Sequence, residues 1–167
     1  MPEENIKKRA MKDLREGKSP STAAGEFVHE EIEHVREGKH GARSPQQAIA
    51  IGLSKARRAG VPLPPPAKGK TSESTRKSAE REYEKGQHGD AKQPSARASR
   101  ARERQLEKEP RSSASHRALS QHAKSAARKR SSTSRHDAAM KAVRTKGEGG
   151  MHQAAQKAAR TRAKHSR

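Results

Sequence analysis

Three copies of one short basic pattern stand near the end of the chain: AKSAARKR at 123–130, AMKAVRTK at 139–146 and AQKAARTR at 155–162. Each begins 16 residues after the one before. Cations gather at the end of each copy, as Arg128, Lys129 and Arg130, then Arg144 and Lys146, then Arg160 and Arg162, with Lys164 just beyond. The chemistry open to such residues is phosphate neutralisation. Each Lys or Arg brought to a duplex phosphate releases condensed counterions, and that entropy drives binding without reading base sequence. Arginine adds a bidentate fork and fits a narrow minor groove. The bland alternative is a solvated tail kept basic for solubility. A second cationic cluster, Lys55, Arg57 and Arg58, closes the stretch QAIAIGLSKARR. It either complements the negative end of a helix dipole or adds a second nucleic-acid contact.

Other chemistries find little support. HEEIEH at 29–34 has the outline of a zinc-protease signature, which needs histidines four apart on one helix face. His29 and His34 are five apart, and nothing adjacent supplies a third ligand. With Glu26, Glu30, Glu31, Glu33 and Glu37 this stretch reads as an acidic, solvated helix face. No metal site and no cofactor are expected. GEGG at 147–150 follows no strand, so it is not a phosphate-binding loop. No nucleophile–base pair falls in a foldable pocket, so no enzyme is expected. One Phe, one Tyr and no Trp leave no platform for stacking single-stranded bases.

The elements that must carry these residues are uneven. Of 14 Leu, Ile, Val and Phe residues, 11 lie in residues 1–66. Charge runs the other way, net +3 over 1–66 and net +17 over 67–167. That asymmetry points to an acidic partner for the second part. The spacing predicts three helices, about 3–16, 20–37 and 45–59. Gly17 and Gly38 are placed to end the first two, and Ser19-Pro20 and Ser44-Pro45 to start the next two. Gln47, three residues after Ser44, completes a capping box. The loop GKHGAR between helices two and three exceeds the short turn of a helix-turn-helix. Val61 and Leu63, in the proline-rich exit VPLPPP, either fold back onto the helices or merely lead out.

The predicted fold class is therefore mostly α. A three-helix module over 1–60 is followed by a Pro-rich exit and charged linker over 61–110, with short helices possible near 73–85 and between Pro94 and Pro110. A basic Ala/Lys/Arg tail over 111–167 is expected to be largely disordered, with short helix-capable segments joined by flexible breaks at 131–134 and 147–150.

The REGK turns, GEFV at 25–28 and QAIAIGLSKARRAG at 47–60 resemble a family of small basic bacterial proteins of uncharacterised function. The likeness spans residues 15–66 and implies a bacterial cytoplasmic protein with no established enzyme activity. The tail resembles, in composition, the Lys/Ala-rich tails of bacterial linker-histone-like proteins, without their Pro-Lys-Lys repeats. The expected function is nonspecific binding of duplex DNA by a nucleoid-associated, histone-like protein, with RNA as a further partner. Residues 1–60 would form a homo-oligomer or dock a protein. The alternatives are a protein-interaction adaptor using the N-terminal helices, or an RNA- or ribosome-associated stress protein. No apolar run is long enough for a bilayer, so no membrane partner is expected and the cytoplasm, at the nucleoid, is the expected location.

Overall fold

Two Ser-Pro pairs and two glycines set the first helix boundaries in the computed structural model, which describes residues 2–89 and 95–165. Helices α1 (Pro2–Arg15), α2 (Pro20–Glu37) and α3 (Pro45–Arg58) fall close to where the sequence puts them. Ser19 Oγ accepts from the Thr22 N–H at 3.4 Å, and Ser44 Oγ from the Gln47 N–H at 3.3 Å. Gln47 Oε1 accepts at 2.7 Å from the N–H of Arg43, one residue before the expected capping-box partner. Gly38 takes φ 79°, and the N–H groups of Gly38 and Lys39 return to Val35 O and His34 O. These are the paired bonds of a Schellman end, and only a residue tolerant of positive φ makes them without strain.

Helix α2 packs against both α1 and α3. The core between them is built of small side chains around one aromatic: Ile6, Ala10, Ala23, Ala24, Phe27, Ala56 and Val61. Small residues bury little area each, so the helices must approach closely to exclude water. Gly52 allows this, because a Cβ there would stand 2.6 Å from Val28 Cα. On α3 the buried positions are Ala48, Gly52, Ala56 and Arg57, while Ile49 is half-buried. Val61 is fully buried and Leu63 packs on the same cluster, so the exit folds back before the prolines lead on.

Helix α4 (Glu73–Gln87), within the stretch expected as a linker, packs against α3. Gly86 meets the Arg57 carbonyl, Ser54 Oγ donates to Glu82 Oε1 at 2.6 Å, and Gln87 Nε2 donates to Gly60 O at 3.3 Å. Helix α5 (Ala96–Glu107) leads to a 3-10 turn at Arg111–Ala114. That turn, where the sequence reading begins the tail, rests on α2 and α3. Gly41 N–H donates to Leu106 O, Ala42 N–H to Pro110 O, and Arg36 Nε to Ala114 O. Ala114, Val35, Ala42 and Ala48 form a second small core with Ile32 against it. Contacts group residues 1–122 as one compact unit and 123–167 as another.

The second unit is where expectation needs correcting. It is helical, not disordered: α6 (His116–Arg128) runs into it from the first unit, and α7 (Ser132–His165) follows. Alanine, lysine, arginine and glutamine are strong helix formers, and that propensity, summed along each segment, opposes the nucleation penalty. The expected flexible break at 131–134 is instead an N-cap, with Ser131 Oγ accepting from the Ser134 N–H at 3.1 Å. At 147–150 the break is a kink, since Gly147 leaves helical geometry at φ 64° and ψ 176°. Among the described residues, no helix is long and apolar enough to cross a membrane.

Candidate functional site

All twelve lysines and arginines between residues 123 and 165 are exposed. Among the described residues, none of them forms an ion pair; the acidic contact in this unit is His136 Nδ1 to Asp137 at 3.7 Å. Arg128 ends α6, and Lys129 and Arg130 occupy the break before α7. Arg144 and Lys146 precede the kink, and Arg160, Arg162 and Lys164 lie in the last turns of α7. The helix regroups these cations. Residues three, four and seven apart share a helical face, which puts Lys157, Arg160 and Lys164 together and turns Arg162 to another side. Lys124, Arg135, Lys141 and Lys157 were missed because the repeat draws attention to the end of each copy; helical spacing finds three of them, with Lys124 four before Arg128, Lys141 three before Arg144 and Lys157 three before Arg160.

The second predicted cluster is turned inward. Lys55 Nζ sits 2.9 Å from Glu31 Oε2. Arg57 is 7% exposed, and its Nε donates to Leu63 O at 3.2 Å. Burial pulls the Arg57 guanidinium below its usual pKa, with Glu82 acting the other way. Arg58 is half-buried, and its Nε is buried without a hydrogen-bond partner. Lys55 and Arg57 thus serve the fold rather than an exposed basic face.

The acidic face of α2 also needs correcting, since Glu30 and Glu31 are buried. Glu31 and His34 lie three apart on one side of α2. The Schellman end at Gly38 turns the chain so that His40 comes back over the same side. His40 Nε2 is 3.3 Å from Glu31 Oε1, and His34 Nε2 is 3.6 Å from Glu30 Oε1. The two rings meet edge to face, centroids 6.2 Å apart and planes at 82°. One ligand atom from each of Glu31, His34 and His40 lies within 4.8 Å of the others. The sequence reading paired His34 with His29, which is exposed. The signal it passed over is the Glu-x-x-His spacing at 31 and 34, followed by a glycine turn.

No family model, curated protein or solved structure matches this chain.

Proposed function

We propose that the protein binds duplex nucleic acid, DNA foremost, through the phosphate backbone and without base specificity, as a nucleoid-associated protein. The observation that carries this is the second unit: twelve exposed cations, unpaired among the described residues, ten of them on alanine-rich helices. Unpaired cations keep their counterion-releasing capacity, and helices hold them at fixed spacing along a phosphate track. The lack of aromatic platforms favours duplexes over single strands. The adaptor alternative draws less support, because Glu30 and Glu31, two of the five glutamates it relied on, are buried.

The test is binding to a random-sequence DNA duplex across a salt series, with duplex RNA as competitor. About eight phosphate contacts at ~0.9 each predict a log–log slope near −7. Replacing Lys157, Arg160 and Lys164 together by Gln should make the slope shallower by about 2–3. A full-chain slope no steeper than about −2 overturns the proposal. Preference for the RNA competitor moves it to an RNA duplex.

A further inference from the structure

Phosphate binding by the second unit leaves the buried cluster at the end of α2 without a purpose. Glu31 is 1% exposed, and neither carboxylate oxygen receives a hydrogen bond. Lys55 Nζ stands close to Oε2 as an ion-pair partner at 2.9 Å, out of line for a hydrogen bond. Oε1 faces His40 Nε2 at 3.3 Å. The other ring nitrogen, His40 Nδ1, is 3.0 Å from the Gly41 carbonyl. A carbonyl only accepts, so that contact engages Nδ1 as the donor and turns Nε2 toward the carboxylate. Nε2 stands 3.3 Å from a buried carboxylate oxygen that receives no hydrogen bond. Lys55 partners Oε2, so the open position lies between Oε1 and the imidazoles, where a cation could be shared.

We propose that this cluster is a binding site for a divalent transition-metal ion of the zinc type, held by Glu31 Oε1, His40 Nε2 and a ring nitrogen of His34. Two imidazoles and a carboxylate suit zinc, whose bonds of about 2.0–2.2 Å place tetrahedral ligands roughly 3.3 Å apart. The Glu31–His40 edge already has that length, at 3.3 Å. The longer separations, up to 4.8 Å, close by rotation of the imidazoles onto the ion. The Gly41 carbonyl on His40 Nδ1 is the outer hydrogen bond that metal-binding histidines ordinarily make. Lys55 holds Oε2 and leaves Oε1 for the ion. Glu30 Oε2 is buried without a hydrogen-bond partner and offsets added positive charge. The His34 and His40 side chains are 17% and 15% exposed, which gives an ion a way in.

The ion would act structurally. It would tie α2 to the 38–42 loop, whose Gly41 and Ala42 N–H groups hold residues 106–110. The test is a zinc titration of the chelator-treated full chain against a metallochromic competitor, with H34Q and H40Q as variants. H152Q, at an exposed tail histidine, is the control. One tight equivalent is expected, weakened more than about tenfold in H34Q and in H40Q and unchanged in H152Q. X-ray absorption of the zinc-loaded wild type reads the ligand shell without needing a variant to fold, and two imidazoles plus carboxylate oxygen are expected. No tight equivalent, an equivalent that survives both substitutions in folded protein, or a shell without two imidazoles overturns the proposal.

Discussion

At the residue scale, burial changes what a charged side chain does. Lys55 reads as a surface cation from its neighbours in sequence, yet its ammonium partners the carboxylate of Glu31, which is 1% exposed. Removing it leaves Glu31 buried beside no lysine. Lys55→Met should therefore destabilise the first unit by about 1–3 kcal/mol, the penalty for an unsatisfied buried polar group. The same substitution should leave the salt slope of duplex binding unchanged, because the ammonium faces the fold. Thermal melts and a salt series on one sample check both halves. A slope shallower by about 1 with no loss of stability would mean that Lys55 contacts phosphate instead.

At the element scale, the second unit shows helix propensity prevailing over charge. Its cations repel one another, yet Ala-rich sequence and the Ser131 cap support helical segments on both sides of Gly147 within Ser132–His165. The 16-residue repeat does not give a continuous helix one repeated face, since 16 residues make about 4.4 turns and successive copies point nearly opposite ways. Gly147 interrupts that phase at φ 64°. Gly147→Ala puts a strong helix former where positive φ is disfavoured. It should deepen the far-UV helical signal by straightening the kink, and it should change duplex affinity by re-phasing the two halves of α7. An unchanged helical signal would mean that the kink is held by something other than glycine's freedom.

At the scale of the whole molecule, the compact unit reaches well past the three-helix module. Helix α4 lies on α3, and the Arg111–Ala114 turn adds Ala114 to a second core. A chain of residues 1–122 should melt cooperatively near the full-length midpoint while losing duplex binding. A chain of residues 1–66 lacks α4 and the 106–114 contacts and should melt at a clearly lower temperature. Equal midpoints for the two truncations would show that the added segments contribute no stability.

Local interactions made much of this legible. The Ser19 and Ser44 caps, the glycine at the end of α2 and the proline starts join groups only a few positions apart, so residue type and spacing determined helix boundaries without reference to the fold. The helices of the second unit are local too; they were misjudged because net charge was weighed above alanine content. What needed tertiary structure were the long-range placements: Arg36 to Ala114 across 78 residues, Ser54 to Glu82 across 28, and Glu31 buried among His34, His40 and Lys55. Burial depends on which surfaces meet, and an acidic stretch reads the same whether it faces water or two imidazoles and an ammonium. The close approach of α3 to Val28 at Gly52, together with the turn at Gly38, decided that Glu31 faces inward.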